Sequence, residues 1–122
     1  MKNNVLLKKF IRTRNKSVEI CKNIELEDYS VQPHEDISPP KWHLAHTSWF
    51  YEEVLLSKLS RTKTLYNNEY KLLYNSYYKS VGKHWEQSKR GLLSRPTVKE
   101  ILHYRKYIDK KIIKFIKGSK KN

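Results

Sequence analysis

Apolar residues along most of this chain recur at helical rather than strand spacing. From Val5 to about Ile24, Leu7, Phe10, Ile11, Val18, Cys21 and Ile24 keep to one face of a first helix, interrupted by Arg14 and Ser17. Asp28 to Ile37 is polar, has Pro33 in its middle, and reads as a connection. A second helix starts at Pro39 or Pro40 and runs to about Lys58. Ser38 is the expected N-cap, with Pro39 at the first helical position, where a missing N–H loses no helical partner. The inner face of this helix passes through Trp42, His46, Trp49, Phe50 and Glu53, with His43 at its edge. Ser60 to Glu69 has no apolar period and reads as a surface connection. Tyr70 to Val81 is tyrosine-rich, with room for a short helix, and ends at Gly82. His84 to Arg95 is irregular, and Gly91 marks a turn. A third long helix opens on Thr97-Val98-Lys99-Glu100, a capping box in which Thr97 and Glu100 satisfy each other's orphan N–H groups. Ile101, Arg105, Ile108, Ile112 and Phe115/Ile116 continue it to a stop at Gly118. No segment sustains period-two alternation. The expected fold class is all-α, with three long helices, one short of an antiparallel four-helix bundle.

Composition narrows this little. At 122 residues the chain holds one domain at most, and its 38% apolar and 31% charged residues suit a surface-rich domain. No apolar run approaches the roughly 18–20 residues that span a bilayer. The basic N-terminus lacks the apolar core of a signal peptide, so no membrane association and a cytoplasmic location are expected. The single cysteine, Cys21, excludes an internal disulfide and reads as a small buried apolar residue. The net charge of +14 raises the question of nucleic acid. Of the 26 basic residues, however, 20 are Lys, a bias that accompanies Ile, Tyr and Asn as in AT-rich coding. The basic residues therefore read as a solvated face, without the arginines that phosphate and base contacts favour, and nucleic acid is not an expected partner.

The candidate chemistry lies in Ser38 to Leu56, SPPKWHLAHTSWFYEEVLL, where His43 and His46 stand three residues apart among tryptophans. A histidine on an apolar helix face is more often a hydrogen-bonded core residue than a ligand. A Zn²⁺ site built on the pair would need further ligands from His34, His84, Glu52 or Glu53, none of which sits in a ligand motif. His103 falls on the solvent side of the third long helix. Trp42, Trp49 and Phe50 read as core, each contributing ~2–3 kcal/mol on burial. Tyr77 and Tyr78 are candidates for a pocket lining. Arg90 and Arg95 flank a turn and read as donors to exposed carbonyls, and Asp109 as a partner of Arg105 or Lys106 along its own helix.

Three segments, SPPKWHLAHTSWF, YNSYYKSVG and RGLLSRPTVKEILHYRKYID, closely resemble the N-terminal DinB-like domain of the ergothioneine-biosynthesis sulfoxide synthases. The likeness covers about Arg12 to Ile116. It implies a DinB-like four-helix bundle, followed in the complete enzymes by a domain of the formylglycine-generating-enzyme type. Those enzymes use non-haem iron(II) and O₂ to join a cysteine-type thiol to the imidazole of trimethylhistidine. Three histidines hold the iron. The first is the second histidine of WHLAH, here His46; the other two belong to an H-E-x-x-H-like motif on the fourth helix. Family members often carry an arginine pair before GLLSRP that grips the thiol substrate's carboxylate. The matching positions here are Gln87 and Arg90, so the resemblance makes Arg90 the remaining substrate-binding residue.

No histidine follows His103, and the sequence ends where the turn into the fourth helix is expected. The resulting expectation for 1–122 is a single partial DinB-like domain: a module or remnant of a sulfoxide synthase, without catalytic residues of its own. A lone imidazole cannot hold iron(II) in water, because affinity needs several oriented ligands, so no cofactor is expected on this chain alone. The expected partner is a separately encoded half supplying the other two histidines. Homodimerisation through the groove left by a missing helix is a second way to cover the apolar stripe. The alternative function is a basic helical module that binds protein or nucleic acid without catalysis.

Overall fold

A computed structural model describes residues 2–59, 65–76 and 83–118. Helix α1 (Lys2–Ile20) leads through a 3-10 turn (Leu26–Ser30) to α2 (Pro40–Phe50). A π-helical segment (Tyr51–Leu56) and a last turn, α3 (Ser57–Leu59), continue α2 without a break. The short α4 (Tyr70–Tyr74) and a second 3-10 turn (Gln87–Leu92) precede the long α5 (Val98–Gly118). Among the described residues there is no strand, only an isolated bridge between His34 and Ile37. The all-α expectation therefore holds. No helix among these residues is long and apolar enough to cross a membrane.

Of the two starts that the sequence allows for α2, the structure takes Pro40, and the cap is not Ser38. Pro39 is the cap, in extended conformation (φ −61°, ψ 151°), and Pro40 opens the helix. The cause is steric: a residue that precedes proline is pushed out of the α region, so Pro39 cannot itself be helical. Ser38 then caps nothing, and its hydroxyl accepts from Arg90 Nη1 at 2.8 Å. At α5 the capping box forms as expected. Thr97 N–H donates to Glu100 Oε1 (3.3 Å), and Glu100 N–H to Thr97 Oγ1 (3.1 Å).

α1 and α5 lie antiparallel, since Asn3 Nδ2 donates to the Ile116 carbonyl while Arg14 pairs with Asp109. Ile101, Tyr104, Ile108, Ile112 and Ile116 of α5 meet Phe10 and Cys21 from the α1 side and Leu44, Ala45 and Trp49 of α2. Tyr70 and Tyr74 of α4 complete the core, Tyr70 edge-on to Tyr104 at 4.8 Å between centroids. Cys21 is buried as expected, and burial raises its thiol pKa.

The face buried by each helix is more polar than hydrophobic spacing suggested. Arg14, read as an interruption of α1, is buried, whereas Ile11 and Val18 are exposed. On α2 the innermost row includes Lys41, Ala45, Ser48, Trp49 and Glu52, while Phe50, read as core, is 37% exposed. Glu53 sits at the margin and makes a 3.9 Å ion pair with Lys71. A hydrophobicity pattern assigns polar residues outward, but a buried polar group is stable when its bonds are made inside. Lys41 Nζ donates to the Leu93 carbonyl at 2.7 Å. Glu52 accepts from Tyr104 Oη at 2.7 Å and from Tyr66 N–H at 2.9 Å. Arg14 Nε donates to Asp109 Oδ1 at 2.6 Å and its Nη2 to Ser48 Oγ. Asp109 thus pairs across helices with Arg14 rather than with Arg105 or Lys106. Arg105 is occupied elsewhere, donating to the carbonyls of Leu44 (2.9 Å) and Arg14 (3.0 Å) and to Thr47 Oγ1 (3.0 Å).

Gly91 marks a close approach as well as a turn. Its N–H donates to Gln32 Oε1 at 2.6 Å, and Gln32 Nε2 donates to the Gln87 carbonyl at 2.7 Å. One amide side chain thereby bonds both backbone groups of the facing 3-10 turn. A Cβ on residue 91 would stand 2.7 Å from Gln32 Cβ, closer than packed carbons tolerate.

Candidate functional site

The WHLAH helix places His46 between two indoles. Its ring stacks on Trp42 (centroids 4.6 Å apart, 11° between planes) and on Trp49 (5.8 Å, 22°). Positions 42, 46 and 49 share one side of α2 because four and three residues each return about one helical turn. His46 Nδ1 lies 2.6 Å from the Tyr74 carbonyl oxygen at the end of α4. A carbonyl only accepts, so this contact makes Nδ1 the protonated nitrogen and Nε2 the basic one. A backbone carbonyl holding Nδ1–H is the arrangement that orients a metal-ligating imidazole and raises its basicity. The Trp42 Nε1–H donates to the neighbouring Leu73 carbonyl at 2.8 Å, so both rings are anchored on the same short helix.

Burial lowers the His46 pKa below its usual 6.5, against the raising effect of the Tyr74 bond, with Arg90 and His43 adding to the fall. Folding therefore disfavours the imidazolium, and this contribution to stability is lost as pH falls below the ordinary value near 6.5. Nitrogen-15 NMR of the imidazole is expected to show the Nδ1–H tautomer at neutral pH, protonating only below pH 6.5. An Nε2–H tautomer would contradict the bond to Tyr74.

His43 is exposed and edge-on to Trp42 (5.5 Å, 84°), and burial together with Arg90 also lowers its pKa. Arg90, only 4% exposed, lays its guanidinium over the Trp42 ring at 3.5 Å and donates to Ser38. A cation on an indole face is electrostatically favourable. Arg90 thus comes within electrostatic reach of both imidazoles, on the far side of the Trp42 stack from Trp49. Its bond to a side-chain hydroxyl differs from the carbonyl contact expected of it, whereas exposed Arg95 does reach a carbonyl, that of Ser94 (3.3 Å). Gln87 turns instead to the Asp36 carbonyl (3.1 Å).

Glu52, Glu53, His34 and His103 have their partners elsewhere than at His46. Glu52 points into the core toward Tyr104, Glu53 lies by Lys71, and His34 stands near Asp36 in an exposed loop. His103 is exposed and meets Tyr66 Oη at 2.8 Å. Tyr77 and Tyr78 lie outside the described residues. Among the described residues no three His, Cys, Asp or Glu side chains converge on a point. Residues 1, 60–64, 77–82 and 119–122 contain none of these residue types. The ligand set of this chain therefore does not fit a resident iron or zinc ion, which needs three or four such groups.

Three features were beyond sequence reasoning. Nothing in the residue types marks the Tyr74 carbonyl as the partner of His46, because a backbone acceptor carries no side-chain signature. Stacking of Arg90 on Trp42 joins residues 48 positions apart. The π-helical turn at Tyr51–Leu56, just beyond the histidines, was also unsignalled; such turns recur near functional sites.

The family model for the DinB superfamily, a group of helical and often metal-binding domains, matches residues 9–121. No curated protein matches the chain.

Proposed function

The chain belongs to the DinB superfamily, and from that premise we propose that it presents one iron-ligating imidazole, His46, to a sulfoxide synthase of the ergothioneine type. In this reading the chain is not catalytic alone. Two further histidines from outside residues 1–122 complete the site. The observation that supports it most is the His46–Tyr74 contact, which fixes the tautomer and leaves Nε2 as the donor nitrogen. The WHLAH, YNSYYKSVG and GLLSRP segments supply the enzyme class. Arg90, whose charge acts on both His43 and His46, is the group proposed to hold a substrate carboxylate. An arginine suits that task because its planar donors match a carboxylate.

Anaerobic calorimetry with iron(II) tests this proposal. The isolated chain is expected to bind no more tightly than about millimolar, the level of a single imidazole. Mixing it with the half of a sulfoxide synthase that carries the paired histidines is expected to produce tight iron retention, abolished by His46→Gln. Submicromolar iron binding by the chain alone, or retention indifferent to His46→Gln, would refute the proposal.

A further inference from the structure

The fold segregates charges that are spread along the sequence. No acidic residue occurs before Glu19, and Asp109 is the single acid after Glu100. Asp109 is held by Arg14. Antiparallel packing of α1 on α5 sets these two acid-poor stretches side by side, since residue 3 meets 116 and residue 14 meets 109. Lys8, Lys9, Arg12 and Lys16 of α1 and Lys106, Lys110, Lys111, Lys114 and Lys117 of α5 are all exposed there. Five exposed acids, Glu25, Glu27, Asp28, Glu35 and Asp36, instead occupy the connection between α1 and α2. An AT-rich coding bias accounts for many lysines, but not for their separation from the acids.

The cations also form rows. Lys106, Lys110, Lys114 and Lys117 lie on one face of α5 over about 16 Å, and Lys9, Arg12 and Lys16 on one face of α1 over about 10 Å. The opposite face of α5 is fixed by the buried Ile101, Ile108 and Ile112, so its row is held rigidly. On α5 the exposed apolar residue, Phe115, is turned about 100° or more from the row; on α1 Ile11 is turned away likewise, while exposed Val5 and Ile20 flank the row one turn beyond each end. A bilayer surface would call for apolar side chains among the cations. A phosphodiester backbone calls for unmixed positive charge.

We propose that the α1–α5 end of the molecule binds duplex nucleic acid through its phosphates, independently of base sequence. Arginine, which bidentate phosphate contacts favour, is scarce in these rows, so the contacts proposed are those of lysine point charges, which neutralise phosphates without reading bases. The proposal does not depend on the role of His46.

Fluorescence anisotropy with a 20-base-pair DNA duplex over a range of salt tests it. Binding at low salt is expected, weakening steeply as salt rises. The fourfold variant K106Q/K110Q/K114Q/K117Q is expected to bind at least tenfold more weakly and to lose roughly three to four from its log–log salt slope, at ~0.9 per phosphate contact. A control removing the same charge elsewhere, K22Q/K58Q/K83Q/K89Q, is expected to keep most of the slope. These eight lysines are all exposed, and circular dichroism checks that both variants remain folded. No duplex binding at low salt, equal loss in both variants, or tighter binding to phosphatidylserine vesicles than to duplex would each overturn the assignment.

Discussion

Replacing Trp49 with alanine is expected to cost about 3–5 kcal/mol of folding stability. Trp49 is 1% exposed, packs with Trp42, Tyr74 and the α5 isoleucines in the core cluster, and stacks on His46. Truncation removes a large apolar surface and leaves a cavity that two flanking helices cannot close. A domain of this size has only about 5–15 kcal/mol of net stability, so the substitution removes a large share of it. Urea unfolding monitored by far-ultraviolet circular dichroism measures the loss. A change below about 1 kcal/mol would mean that the indole is not packed as described.

The second large effect is expected at Arg105. Arg105→Ala leaves two buried carbonyls, those of Leu44 and Arg14, and the Thr47 hydroxyl without their guanidinium donor. The Leu44 carbonyl keeps weaker bonds from the Thr47 (3.3 Å) and Ser48 (3.5 Å) hydroxyls, so what is lost is the charged bonding of one guanidinium to two other helices, and a cost of about 2–4 kcal/mol is expected. Burial and the nearby Arg14 lower the Arg105 pKa to about 10, still well above neutrality, so the group remains charged under ordinary conditions. Arg105→Lys is expected to recover only part of the loss, because an ammonium cannot bond α1 and α2 through two separate nitrogens. Denaturant titration of both variants decides this. Equal stability of the Lys variant and the parent would show that charge alone matters at this position.

Helix existence was legible in the sequence, and facing was legible only where the buried residues are apolar. On α5 the row Ile101, Ile108, Ile112 and Ile116 announced itself, and the Thr97–Glu100 box gave its start. On α1 and α2 the same reasoning misplaced the buried face, because Arg14, Lys41, Ser48 and Glu52 are interior. Their burial depends on partners 14 to 95 positions away, Asp109, Leu93, Tyr66 and Tyr104 among them. No local pattern encodes such partners. A reader could still have noticed that Phe10, Arg14 and Cys21 share one helical face, which places a charge within an apolar stripe.

The candidate site was legible to a similar degree. Spacing brought Trp42, His46 and Trp49 to one side of α2, and the structure stacks them. The protonation pattern of His46 was not available from spacing, because it is set by a main-chain oxygen 28 residues away. Asp109 illustrates the opposite error. A helical neighbour was the nearest candidate in sequence, but the partner that forms is on another helix and is itself buried.

The Gln32–Gly91 contact has a consequence for how this chain can change over generations. Neither position is free to drift alone: any side chain acquired at 91 collides with the stem of residue 32, and a shorter residue at 32 strands the amide hydrogen of 91. The two loops are therefore expected to mutate in concert, as paired exchanges at positions 32 and 91.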